Sequence, residues 1–570
     1  MPSIDTLLDR LTKATHPEVR QARDWQAFTP KLASVLKEGY DFSKLRADAI
    51  SGLTVAIIAL PLAMALGIAS GASPDKGLIT AIVAGLLISA LGGSRVQIGG
   101  PTGAFVVVIF NVIAAHGYDG LLLATLLAGI ILVVAGYAGA GRLIKFIPHP
   151  VVTGFTAGIA VIIASSQVKD FLGLALRDVP ADFLPKWAAY AQAITTIQPA
   201  TVAIGAGTLV LLVALRRFAP KLPAYLVAMI VASALVAALG LPVDTIGTRF
   251  PDMAGGLPMP QFPSWSLDKV QAVLPAAFTI AFLAGIEALL SCVVADGMTG
   301  YRHRSNQELV GQGVANFASA LFGGLPATGA IARTATNVKA GGRTPMAGIF
   351  HAGFLLLFIL FGADLMAYVP MAALAAVLFL VAWGMSEAKH FLALLRMPMG
   401  ERTVLVLTFL LTVLVDLTVA IGVGVTLASL IFMARMSETV TVTEGGLGEE
   451  EDAEQREALP EGVEVFRISG PFFFGVASEL LETLTRMGRI PKRIILRLEL
   501  VPYLDASGSA ALGDFIRQAA ARETRVTLSA LQPQPLAVLK RARLGPGSPL
   551  VDHAPDFQAA LASAQEETLG

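Results

Sequence analysis

From Ile50 to about Arg435 the chain is a succession of long apolar runs divided by short polar or glycine-rich breaks. A helix needs about 20 apolar residues to cross a bilayer. Runs near that length cover 50–69, 77–91, 119–141, 150–171, 199–217, 222–240, 272–295, 346–363, 367–385, 402–416 and 418–435. Shorter, less regular runs cover 101–115, 308–322 and 328–339. Together they predict about fourteen transmembrane segments within 48–436, an even number that returns both ends to one side of the membrane.

The short runs carry the most information. GGSRVQIGGPTGAFVVVIF (92–110) breaks at Gly99, Gly100 and Pro101 and then restarts, and GGLPATGAIARTATN (323–337) breaks at Gly323, Gly324 and Pro326 and does the same. Both restart on Thr-Gly-Ala. Thr102 and Thr328 lie 226 positions apart, and the runs that open the two halves, near Ile50 and Ala272, lie 222 apart. This spacing predicts an internal repeat, about 48–240 and 270–436. Seven crossings per repeat, an odd number, make the second copy enter from the opposite face, so the repeats are inverted. Broken helices at matching places in two repeats point to a transporter's midplane site. The first N–H groups of a helix lack partners and its N-terminus carries about half a positive charge. Two such ends converging on one point would hold an anion.

After Arg435 the pattern changes. The segment 437–461 is acidic and polar and reads as a mobile linker. From 462 to 566, strand-like VEVFRISG, RIILRLEL and RVTLSAL alternate with helix-like ASELLETLTRMG, SGSAALGDFIRQAAARE and PLAVLKRARL, the pattern of a small α/β domain. The fold class expected is an all-α polytopic membrane domain followed by a small α/β domain.

Composition agrees with a membrane chain: 55% of the 570 residues are hydrophobic and only 15% charged. Lys+Arg and Asp+Glu both number 42, and the zero net charge gives no reason to expect a nucleic-acid partner. The lone cysteine, Cys292, excludes an intrachain disulfide and a thiolate cluster, and no HExxH or CxxC spacing is present. No cofactor is expected, and the absence of paired acid/base or nucleophile motifs argues against an enzyme. Residues 1–47 are mixed and charged rather than signal-like; with Lys37, Lys44 and Arg46 before the first span, they are expected in the cytoplasm.

The charges inside apolar runs are therefore the candidates for chemistry. Arg333 stands about one and a half turns into the second restarted helix. An arginine at the bilayer centre costs about 2.5–3.5 kcal/mol even on lenient scales, so it must face a cavity or a partner. An anionic substrate is the simplest partner; a static pair with Glu287 or a cage of carbonyls are the alternatives. Glu287 lies deep in its run, where an unpaired carboxylate is expected to take a proton and could couple proton movement to substrate or help form a sodium site. Ser291, four residues on, shares its helix face. Thr102 and Thr328, followed by Gly103 and by Gly329 and Ala330, would either bond substrate oxygens or cap their helices.

The segments GGPTGAFVVV, GIEALLSCVVADGMTGYRHRSNQELVGQGVAN and GGLPATGAIARTATN, followed by a domain containing YLDASG, resemble the SulP anion transporters with their C-terminal STAS domain. The resemblance runs over nearly the whole chain from about residue 45. It implies two inverted repeats of seven segments, arranged as a core domain carrying substrate and a gate domain carrying dimer and barrier contacts. By position it places substrate binding at Thr102 and Gly103 and at Thr328, Gly329, Ala330 and Arg333, and a coupling-ion site at Glu287 and Ser291. Leu62 and Leu66 depart from relatives with a glutamine and an aromatic there, and Ala332 from motor-like relatives with a serine. Asp505 and Ser507 resemble the loop whose serine is phosphorylated in anti-sigma factor antagonists, although Ser507 could simply cap its helix.

LPLAMALGIASG, VKDFLGL and VVADGMTG most resemble the bacterial branch that includes C4-dicarboxylate carriers. The expected function is secondary transport of sulfate or C4-dicarboxylates across the cytoplasmic membrane, driven by protons. The STAS domain and both termini would be cytoplasmic, and the chain a homodimer. Sodium-coupled bicarbonate uptake is the alternative within this class. An anion sensor signalling through the STAS domain is the alternative outside it.

Overall fold

A computed structural model describes the chain except residues 1–27, 143–147, 177–178, 181, 220–221, 252–255, 416, 439–440, 445–458, 461, 473–490 and 570. It divides into two units, one to Val425 and one from Thr426.

A short helix, α1 (Lys31–Lys37), precedes the membrane helices. The first half then comprises α2 (Phe42–Ala69), α3 (Pro74–Leu91), the two-residue strand β1 (Gly99–Gly100), a 3-10 turn (Gly103–Phe105), α4 (Val106–Tyr137), α5 (His149–Leu172), α6 (Phe183–Gln192), α7 (Pro199–Phe218) and α8 (Ala224–Leu239). The second half comprises α9 (Leu267–Thr299), α10 (Ser305–Leu321), β2 (Thr328–Gly329), α11 (Ile331–Lys339), α12 (Met346–Phe361), α13 (Met371–Met385), α14 (Ala388–Leu394), α15 (Met399–Leu414) and α16 (Leu417–Glu438). Gly117, with φ 70° and ψ 177°, breaks α4 into two segments. With that break, the runs read from the sequence correspond to fourteen helical segments, seven in each half. Eight described helices are long and apolar enough to cross a membrane, and α8 and α12 are shorter apolar helices.

Contacts between helix ends sort them onto two faces. The Lys31 N–H donates to Gly92 O, the Arg304 N–H to Gly93 O and the Arg343 N–H to Asp48 Oδ1, so the starts of α2, α10 and α12 share one face with the end of α3. On the other face Tyr118 OH donates to Gly323 O, the Gln261 N–H to Leu321 O, and Arg249 pairs with Asp170. The chain thus alternates across the layer as the odd-numbered repeat requires.

At mid-depth the two breaks meet. β1 and β2 pair antiparallel, Gly99 opposite Gly329 and Gly100 opposite Thr328, as segments arriving from opposite faces must. Unpaired backbone groups are costly where no water can reach them, and side chains satisfy those the ladder misses. Asn316 binds both the N–H and the carbonyl of Ala327, Thr80 Oγ1 accepts the Leu325 N–H, and Ser319 Oγ donates to Leu325 O.

In the second unit, β3 (Thr441–Glu444), β4 (Val463–Ser469), β5 (Arg493–Leu500), β6 (Arg525–Ser529) and β7 (Asp552–Ala554) form one sheet in that order, parallel except for β3. The sequence reading placed 437–461 in a mobile linker; Thr441–Glu444 instead pairs antiparallel with β4, where alternating Thr-Val-Thr suits an edge strand. Most of the remaining linker lies outside the described residues, as do the ASELLETLTRMG segment and most of the N-terminal segment. Successive side chains on β5 part to opposite faces. Ile494, Leu496 and Leu498 join Phe515 and Ile516 of α17 (Ala506–Ala521) and Leu539 of α18 (Pro533–Arg541), while Ile495 packs with Ala560 and Ala564 of α19 (Phe557–Leu569).

Candidate functional site

The restarted segments carry Thr102 and Gly103 on one side and Ala330 to Arg333 on the other, and both line a single cavity of about 520 Å³. Helices α2, α5, α9 and α13 complete its wall through Leu62, Leu66, Thr156, Glu287 and Met385 among others. Arg216, Pro223, Tyr225 and Glu387 also line it. These four belong to the ends of α7, α8 and α13 on the face that carries the start of α2, so the cavity reaches that face.

Arg333 lies in the first turn of α11, not one and a half turns in, because Thr328 and Gly329 are spent on β2 and the helix starts only at Ile331. Its side chain is only 2% exposed. Nη2 donates to Pro101 O at 3.0 Å and Nη1 to Gly99 O at 3.4 Å, while Nε has no partner. Among the described residues no carboxylate pairs with it. Of the alternatives, the carbonyl cage is thus half built, by the break of the other repeat. Gly100 makes room: a Cβ on its backbone, at φ 150°, would sit 2.0 Å from Nη1. Among the described residues no acceptor binds the N–H groups of Ile331, Ala332 or Arg333, and the first turned-in helical bond runs from the Thr334 N–H to Ala330 O.

Glu287 lines the cavity beside Thr102, whose hydroxyl donates to Glu287 Oε2 at 2.9 Å. Thr102 precedes the 3-10 turn without capping it by its side chain. The other predicted residues stand behind the wall. Thr328 is fully buried and donates to Ala284 O at 2.8 Å, one turn before Glu287. Ser291, one turn after Glu287, donates to Thr334 Oγ1 at 3.2 Å, and that oxygen also accepts the Ile98 N–H. These bonds hold α9 to the second break on either side of Glu287, so neither hydroxyl lines the cavity. Gly329 does not line it either; a Cβ there would meet Gln97 Nε2 at 1.6 Å.

The sequence reading missed a buried network beside the breaks. Glu308, fully buried on α10, accepts from the Gly93 N–H at 2.8 Å, Gln97 Nε2 at 3.0 Å and Gln312 Nε2 at 2.8 Å. The Cys292 thiol donates to the other end of Gln97. Polar residues in an apolar run were the available signal, but their partners lie some 200 positions away. Arg216, which falls within the run read at 199–217, is a lining residue that the sequence did not single out.

In the second unit Asp505, not Ser507, caps α17: its Oδ1 accepts the Gly508 N–H at 2.6 Å. Ser507 is the second residue of the helix and exposed.

Comparison with known proteins is consistent with this layout. Residues 45–408 match the sulfate permease family and 458–554 the STAS domain. The chain is 40% identical to a putative sulfate transporter, YvdB, of Bacillus subtilis over 89% of its length and 95% of the relative's. It is 32% identical to the bicarbonate transporter BicA of Picosynechococcus, covering 88% and 92%. The transmembrane domain of a cyanobacterial BicA superposes with a TM-score of 0.60 at 31% identity, over 68% of this chain and 98% of that one. The structure of SLC26A9 shares the fold at 15% identity, with a TM-score of 0.82 over 98% and 96% of the two chains. The chain is a member of the sulfate permease family carrying a STAS domain toward its C-terminal end.

Proposed function

We propose that the chain is a secondary transporter of a small oxyanion, working by alternating access in the cytoplasmic membrane. The observation that carries this reading is the buried Arg333 in the first turn of a broken helix, lining a cavity beside N–H groups that, among the described residues, have no acceptor, and itself without a carboxylate partner among them. Charge and N–H donors converging at one point form an anion receptor. Glu287 lines the same cavity without pairing with Arg333. With a proton on Glu287 the two groups sum to one positive charge and favour an anion; with Glu287 ionised they sum to zero and release it. That linkage makes proton symport the natural drive, and a sodium ion at Glu287 would serve the same end.

Sulfate and bicarbonate are the leading substrates, being the anions in the names of the putative sulfate transporter YvdB and the bicarbonate transporter BicA. The dicarboxylate expectation draws no support from those relatives; what favours it is the apolar wall of Ile58, Leu62 and Leu66, which would suit a methylene chain. The roles of Thr102, Gly103, Ala330 and Arg333 in binding, and of Glu287 in coupling, are part of this proposal, with Thr328 and Ser291 as positioning residues. The same reading places the cavity mouth and both termini in the cytoplasm and treats the chain as a homodimer. A phosphate on the exposed Ser507 would lie at the N-terminus of α17, where its charge is favoured.

Uptake of labelled sulfate and of labelled bicarbonate into proteoliposomes, with unlabelled succinate as competitor, tests the substrate class. Saturable uptake of one inorganic anion, unaffected by succinate, is expected. Uptake of succinate instead would move the assignment to dicarboxylates, and no flux of any of the three would favour a sensor.

A further inference from the structure

Beyond the cavity, on the face opposite its mouth, the short helix α6 holds a cation that the transport site does not use. Lys186 is 5% exposed, and no acceptor lies within hydrogen-bond or ion-pair distance of its ammonium among the described residues. The ring of Phe110 lies beside it, with the centroid 5.8 Å away. A largely covered cation left to one aromatic ring and a little residual solvent is poorly compensated, since partial desolvation of an ammonium costs more than one such contact returns. Burial accordingly holds the Lys186 ammonium below the usual lysine range, the Asp182 carboxylate pulling it partly back.

The two sides of this contact belong to different parts of the bundle. Helix α6 is fastened to α5: Trp187 Nε1 donates to Ser165 Oγ at 3.2 Å, and Tyr190 is buried with Leu174 and Ala193. Phe110 belongs to α4 and lies against Gly71, where a Cβ would come 3.2 Å from its ring. Both Phe110 and Gly71 continue outward from cavity residues, Phe110 seven positions beyond Gly103 and Gly71 five beyond Leu66. At 1.5 Å per residue, Phe110 stands roughly 10 Å past Gly103 along its helix. Lys186 therefore lies beyond the cavity on the side away from its mouth, its charge largely covered by Phe110.

We infer that Lys186 is an outer anion-capture site, largely covered by Phe110 in this conformation and opened fully when the helices carrying Phe110 move away from α5 and α6. The ligand is the same small oxyanion, so the inference rests on the transport reading. Capture at the outer mouth raises local anion concentration before the ion reaches Arg333. Its signature is one-sided.

Initial rates of labelled sulfate and bicarbonate flux would be measured from the outer face in intact cells and from the inner face in inverted vesicles. Lys186→Met is expected to raise the outer half-saturating concentration about tenfold, leaving the inner one unchanged, and Lys186→Arg to stay near wild type. An unchanged outer value, or an equal rise on both faces, overturns the inference. A second arm replaces Lys186 with cysteine and applies a membrane-impermeant maleimide from outside, with Met259→Cys, an 81% exposed position on that face, as the reference. Labelling slower than the reference but carried to completion supports an intermittently opened site; no labelling overturns it. If wild type moves neither anion, the transport reading fails by itself, and the labelling arm still decides whether Lys186 is ever uncovered.

Discussion

Arg333→Gln is expected to lower the ratio of maximal rate to half-saturating concentration for anion uptake by about a hundredfold or more, equivalent to about 2.7 kcal/mol. The substitution removes the positive side-chain charge lining the cavity at the broken helices and leaves Glu287 unopposed. Charge-assisted hydrogen bonds in a site shielded from water are the strong ones. Arg333→Lys retains the charge but not the planar fork that bridges Gly99 O and Pro101 O, and should recover only part of the rate. Both variants should be recovered folded, because Pro101, whose carbonyl makes the shorter of the two bonds released, borders the cavity. Initial-rate uptake at varied anion concentration, normalised to protein reconstituted, gives the answer. A charge-neutral variant with near-wild-type kinetics would show that Arg333 is structural.

Glu308→Ala should have the largest effect on stability. Its carboxylate accepts three buried donors, two of them from the 93–97 segment that leads into β1 and one from Gln312. Each orphaned buried donor costs about 1–3 kcal/mol, so a loss of at least 3 kcal/mol is expected. Yield and thermal unfolding of the purified full chain would show it. Glu308→Gln keeps one carbonyl acceptor and should fall between. Purified protein of unaltered melting temperature from Glu308→Ala would mean that the network is not a joint between the halves.

The membrane helices were legible because an apolar run must be about as long as the bilayer is thick; the run read at 199–217 became Pro199–Phe218, and 346–363 became Met346–Phe361. The two breaks were legible because Gly and Pro interrupt such runs in few other ways. Register was not. The sequence offers Thr328 as the start of a helix, and only its pairing with Gly100 turns it into a strand and draws Arg333 into the first turn. Likewise Ser291 shares a helix with Glu287, but Thr334, 43 positions on, captures its hydroxyl. Glu308 and Lys186 were passed over for a common reason. A polar residue in or between spans declares that it needs a partner, while its partner, or the lack of one, exists only after the chain has folded.

Glu287 is where the account can be tested most directly. The decisive measurement is uptake of labelled sulfate and bicarbonate into proteoliposomes under an imposed inward proton gradient, and separately an inward sodium gradient, for wild type and Glu287→Gln. Uptake above the equilibrium level in wild type under one of these gradients, with gradient dependence lost in Glu287→Gln, is the predicted result. Gradient-driven accumulation that survives in Glu287→Gln would contradict coupling at this carboxylate, and the absence of flux in wild type would contradict the transporter itself.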